Sequence, residues 1–156
     1  VEQLRLNIQF FAGFEMMFAH QFNINTTPDQ ETETMAPLGP GINNVEPGNN
    51  EELDQTIYID GNGYGTTDVI GAQMTLAYTG HRYYGDPAQD FIFGTQLELG
   101  NGRRTNFEWI EPNGGTFTGD ITIANISGPS GDAGAKGEVS FEIHFNGKPT
   151  YTPPTP

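Results

Sequence analysis

Three histidines (His20, His81, His144), three serines (Ser127, Ser130, Ser140) and 20 carboxylates are the side chains with which this chain could do chemistry. Histidines act as metal ligands or proton carriers when a second ligand or a charge partner stands nearby. Here each sits singly on a strand-like segment; His81 and His144 could meet across a sheet, but structural histidines are the commoner outcome. None of the serines lies in a Gly-x-Ser-x-Gly elbow. A pair of carboxylates can run glycoside hydrolysis, yet an abundance of acids singles out no pair. The stretch DGNGYGTTD (60–68) opens like a calcium loop, with Asp60 and Asn62 at its first and third positions. Tyr64 then occupies the fifth position and Gly71 the place of the bidentate glutamate, so a tight turn is the simpler reading. GNGYG and GPSGDAG lack the Lys-Ser/Thr of a phosphate loop. With no cysteine there are no disulfides, thiolate metal sites or cysteine nucleophiles. The sequence therefore points to no catalytic constellation, no metal and no cofactor.

The elements that would position these residues are mostly strands. EVSFEIHFNG (138–147) alternates cleanly: Val139, Phe141, Ile143 and Phe145 on one face, Glu138, Ser140, Glu142 and His144 on the other. TFTGDITIANI (116–126) sets Ile121 and Ile123 opposite Asp120, Thr122 and Ala124. Residues 70–84 set Met74, Leu76 and Tyr78 opposite Gln73, Thr75, Ala77 and Thr79. Residues 14–25 alternate more loosely, with Phe14, Met16, Phe18, His20, Phe22 and Ile24 opposite Glu15, Gln21 and Asn23, and are expected to form one strand. NFEWIE (106–111) and TIYID (56–60) read as further short strands. The aromatic residues Phe10, Phe11, Phe91, Phe93, Trp109, Phe117, Phe141 and Phe145 most simply fill a core.

One helix interrupts this pattern, predicted over 87–99: Asp86 as N-cap, Pro87 at the first helical position and Gln89 reaching back in a capping box. A single helix over an antiparallel sheet with one solvated face is an α+β arrangement. Residues 26–55 carry four prolines (Pro28, Pro37, Pro40, Pro47) and no periodicity, and predict an extended, structureless arm that orders on a partner. Residues 1–13 read as an N-terminal arm or edge strand, and the Pro-rich tail 150–156 cannot pair as an interior strand. The whole is read as one domain with arms.

Formal net charge is −14, from 20 acids and six bases, with no lysine or arginine between Arg5 and Arg82. Tight nucleic-acid binding needs cations facing phosphates, so this balance argues against it. No apolar run approaches the length of a membrane span, and VEQLRLNIQFFAG, with its early Glu, Arg and short apolar run, does not read as a signal peptide.

GTTDVIGAQMTLAYTGHRYYGDPAQDFIFG, the TGDITIANI strand and the ending EVSFEIHFNGKPT together resemble the tail tube (major tail) proteins of long, non-contractile-tailed bacteriophages, the siphovirus type. The residues that carry the likeness are Gly80, Arg82, Gly85, Asp86, Ala88 and Asp90, then Asn146, Gly147, Lys148 and Pro149. The opening LNIQFFAG is similar to the first residues of many phage structural proteins. The resemblance covers roughly residues 56–150 and implies a β-sandwich or half-barrel subunit with an outer helix, forming hexameric rings that stack into a hollow tube. It implies a virion tail protein assembled in the host bacterial cytoplasm, partnered by a tape measure protein, a tail terminator and a distal tail protein. DNA would pass through without specific binding, and no membrane is involved. The competing readings are a β-sandwich carbohydrate-binding or adhesin-like module, and a hydrolase built on acidic residues.

If the resemblance holds, the polar strand faces line the bore: Glu15, Gln21 and Asn23; Gln73, Thr75 and Thr79; Asp120 and Thr122; Glu138, Ser140, Glu142 and His144. The acids of the 26–55 arm, Asp29, Glu31, Glu33, Glu46, Glu51, Glu52 and Asp54, are expected to meet neighbouring subunits.

Overall fold

The computed structural model describes residues 13–155; the expected N-terminal arm lies almost wholly outside the described residues. Ten strands alternate with one helix: β1 (Gln21–Asn25), β2 (Met35–Pro37), β3 (Ile42–Gly48), β4 (Glu52–Ile57), β5 (Gly65–Gly71), β6 (Thr75–His81), α1 (Pro87–Gly94), β7 (Arg104–Ile110), β8 (Thr116–Ser130), β9 (Glu138–Phe145) and β10 (Thr150–Thr152). The main sheet runs β2-β1-β7-β8-β9-β6-β3, with β10 also paired to β8, while β4 and β5 form a two-stranded ribbon of their own. Every pairing is antiparallel.

Alternation sets the two faces of the sheet. In β9, Val139, Phe141, Ile143 and Phe145 are buried and the residues between them are not. Their partners in register are apolar too: Ile143 lies between Leu76 and Ile123, and Phe141 opposite Tyr78. Burial of these side chains, at roughly 25 cal/mol per Å² of apolar surface, is the main force holding the sheet to the helix.

The sheet curls. β1 and β6 are four strand positions apart, which on a flat sheet is about 19 Å, yet the rings of Phe22 and Tyr78 meet edge to face at 5.4 Å. The outermost strands β2 and β3 are joined by residues 38–41 alone, and the link is tied at both ends. The Leu38 N–H donates to the Phe22 carbonyl and the His81 N–H to the Gly41 carbonyl, each at 2.7 Å. The architecture is a half-barrel whose seam is bridged by this link.

Helix α1 starts as predicted. Asp86 Oδ2 accepts the Gln89 backbone N–H at 3.0 Å and Pro87 occupies the first turn. It stops at Gly94 rather than residue 99, because glycine weakens the helix and the Thr95 hydroxyl turns back to the Ile92 carbonyl at 2.7 Å. Leu99, assigned to the apolar stripe, is instead 87% exposed. Ala88 and Ile92 are the fully buried apolar contacts of α1 with the core.

Other expectations need correction. Only residues 21–25 of the 14–25 stretch form a strand, because Gln21 already faces Ile110, the last residue of β7, and no partner extends further. Residues 17–19 make one 3-10 turn, leaving Phe14, Met16 and Phe18 exposed. Residues 26–55 are not structureless: they supply β2, β3 and most of β4. Alternation was hidden in β3 by a register shift between Ile42 and Asn44 and by Pro47, which an edge strand tolerates. The TIYID strand ends at Ile57, and residues 59–61 turn instead. No described helix is long and apolar enough to cross a membrane.

Candidate functional site

The polar face of the main sheet gathers most of the residues singled out above. Register places Thr75, His144 and Thr122 in one row ending at Arg104, and Thr79, Ser140 and Ser127 in another. Between them runs a row of Glu46, Ala77, Glu142 and Ala124. Glu138 stands opposite His81, and Asp120 opposite Asn106. Asn23 joins the face through its pairing with Glu108, 3.5 Å from Asn23 Nδ2, and Gln21 through its pairing with Ile110. These rows follow from strict alternation: each of these side chains has core neighbours on either side along its strand.

Two of the expected lining residues are not on the sheet. Glu15 precedes the 3-10 turn, and Gln73 lies ahead of β6, where its side-chain amide donates to the Phe145 carbonyl at 3.2 Å. Conversely, Arg104, Asn106 and Glu108 of β7, Glu46 of β3 and His81 of β6 belong to the face and were not assigned to it. The signal for β7 was present, since Asn106 and Glu108 flank the buried Phe107. Glu46 was obscured by the apparent disorder of its segment.

The face is acidic and rich in hydroxyls. Glu46, Glu108, Asp120, Glu138 and Glu142 share it with one guanidinium, Arg104, so it is not free of cations as the parity of the other strands suggested. Glu142 accepts from Asn125 Nδ2 and lies 3.5 Å from His144 Nε2. No group of three or more histidine, aspartate or glutamate side chains suited to a metal occurs among the described residues. The 60–68 stretch is the turn at the ribbon tip, with Asn62 and Gly63 both at positive φ.

The expected arm acids separate by location. Glu33 reaches onto the polar face and accepts from Asn106 Nδ2 at 2.8 Å. Glu46 lies in β3, Asp29 and Glu31 in the β1–β2 connection, and Glu51, Glu52 and Asp54 at the base and in the first strand of the ribbon.

The family-like motif residues lie apart from this face and brace the helix. Arg82 pairs with Asp90 at 2.8 Å and lies over the rings of Tyr84 and Phe93, 4.4 and 4.8 Å from their centroids. Asp90 also accepts the N–H of Gly85, whose φ of +92° suits glycine. Gly80 has no room for a side chain, because a Cβ there would collide with the Gly41 carbonyl of the link. Gln89 does not reach back to Asp86. Its Nε2 donates to the carbonyls of Pro40 and His81 at 2.9 and 3.0 Å, and its Oε1 accepts the Tyr83 N–H at 2.9 Å. The side chain is drawn inward because those backbone groups would otherwise be buried unpaired. At the far end, Asn146 exchanges hydrogen bonds with Thr122, Gly147 turns at φ +81°, and Lys148 and Pro149 lead into β10.

No protein-family model and no curated protein sequence matches the chain. Solved structures do. The chain is similar over 90% of its length to all of a chain in the tail of an empty gene transfer agent particle with C6 symmetry, at a TM-score of 0.67 and 16% identity. A chain of the native gene transfer agent virion is matched over the same shares at 0.66 and 12%. In the extended sheath–tube complex of an extracellular contractile injection system, the likeness covers 91% of this chain and 93% of the other, at 0.54 and 11%. At these identities the likeness establishes a shared fold.

Proposed function

We propose that this chain is a structural tail tube protein of a phage-like particle, which polymerises as stacked hexameric rings into a hollow tube. The observation that carries the reading is the end-to-end fold likeness to a chain from a C6-symmetric particle tail. The sequence resemblance, resting on Gly80 to Asp90 and Asn146 to Pro149, points the same way from different evidence. Neither the polar face nor the helix side offers a catalytic arrangement, which fits a structural role.

In this reading the polar face of the half-barrel lines the bore and α1 stands on the outer wall. Repeated around a sixfold axis and stacked, the five carboxylates of the face make an electronegative conduit that gives DNA little to hold. Tape measure, terminator and distal tail proteins are the partners such a tube would need, and the virion tail is its place. The long non-contractile type is the finer assignment, favoured by the sequence resemblance. Sedimentation of the purified chain over rising concentration tests the assembly: species of very high mass built from multiples of six chains are expected. A chain that stays monomeric at every concentration and salt tried would argue for the binding-module reading.

A further inference from the structure

The β4–β5 ribbon has no place in the core. Its base is clamped by Asn50, whose Nδ2 donates to the Gln73 carbonyl at 3.0 Å and the Thr75 hydroxyl at 2.8 Å, but beyond that point it pairs only with itself. A lone two-stranded ribbon is marginal in water. This one nonetheless carries Leu53, Ile57, Tyr58, Ile59, Tyr64, Val69 and Ile70, each at least half exposed. Together such side chains offer on the order of 800 Å², the share one partner brings to a standard stable interface.

Charge decides what can cover it. The ribbon and its base bear Glu51, Glu52, Asp54, Asp60 and Asp68 and no lysine or arginine, so two ribbons packed on one another would repel. Of the cavities among the described residues, four have a carboxylate in their lining: Glu138; Asp120; Asp29 with Glu98; and Glu33, Glu108 with Asp120. The fifth has none. It is a groove of about 310 Å³ at the seam of the half-barrel, walled by Phe18, His20, Phe22, Leu38, Ile42 and Val45. Phe18 on its rim is 90% exposed.

We infer that the ribbon tip of one copy, led by Ile59 and Tyr64, seats in the seam groove of a second copy of this chain. The inference rests on the tube reading and names the surfaces that join its subunits. The contact is heterologous: a knob on one copy fills a hole on the next, leaving a free knob and a free hole at the ends. Such a contact propagates, closing into rings or continuing as a filament. It also covers the apolar ribbon and the open seam together.

The chain has no native cysteine, so a cross-link reports this contact alone. Ile59→Cys and Phe18→Cys are placed singly and together at exposed positions, where neither disturbs the core. Concentrated protein is treated with a short thiol-reactive cross-linker, and the same samples are viewed by electron microscopy. The double variant is expected to give a ladder of covalent oligomers on denaturing gels, an equimolar mixture of the single variants covalent dimers, and either single variant alone chiefly monomer. A ladder without tubes would support the seam contact and sink the tube reading. Tubes without a ladder would overturn the seam contact and leave the tube standing. Absence of both overturns both, and dimers of Phe18→Cys alone equal in yield to the mixture would show a different, isologous contact.

Discussion

Gln89 is fully buried and holds three backbone segments together: the β2–β3 link at Pro40, the end of β6 at His81 and the turn at Tyr83. Gln89→Ala leaves those groups without partners in a site closed to water, and is expected to cost about 3 kcal/mol or more. Chemical denaturation measures this; a loss below about 1 kcal/mol would show that water or a rearranged neighbour replaces the amide. Tyr78 presents the opposite case. Its hydroxyl is buried with no partner, and desolvation holds its pKa well above the ordinary tyrosine value. An acid whose folded pKa is raised binds its proton more tightly when folded, so its contribution is intact below the unfolded pKa of about 10 and falls as pH climbs above it. Tyr78→Phe is therefore expected to keep or raise stability at pH 7 and to flatten the decline measured between pH 10 and 11. An unchanged alkaline slope would mean that other groups govern it.

At the scale of elements, the helix start, β8 and β9 were legible because local chemistry and alternation agree there. Asp86-Pro87 is a cap read from two residues, and the Val139-to-Phe145 alternation allows only one buried face. The end of the helix was less legible, since Thr95 closes it through a side-chain bond that periodicity does not report. The 26–55 segment was misread for a different reason. Edge strands and exposed ribbons need no apolar face of their own, so β3 and β4 leave little pattern in the sequence. Most of the polar face could be read from parity, but not Glu15 or Gln73, whose segments leave the sheet where pairing partners run out. Because β4 and β5 bury nothing in the core, replacing residues 52–71 with a short glycine linker should leave a core of nearly unchanged melting temperature while abolishing high-mass assembly. Normal assembly by the shortened chain, read by sedimentation, would remove the ribbon from the account.

For the whole molecule, the central quantity is the charge of the curved polar face. Glu138 and Glu142 are acids of the strand at its centre, opposite His81 and Ala77. Their effect on a passing duplex is screened within about 8 Å at physiological salt. Glu138→Lys with Glu142→Lys is thus expected to permit tubes but slow genome release from reconstituted particles, more so at low salt; equal rates at every salt concentration would place these acids outside the bore. The most direct test is a helical reconstruction, by electron cryomicroscopy, of whatever the purified chain forms at high concentration. The account predicts a hollow sixfold tube with Thr75, Asp120, Glu138 and Glu142 on its inner wall and α1 on its outer wall. A tube with α1 facing the bore, or a chain that forms no tube, would contradict it.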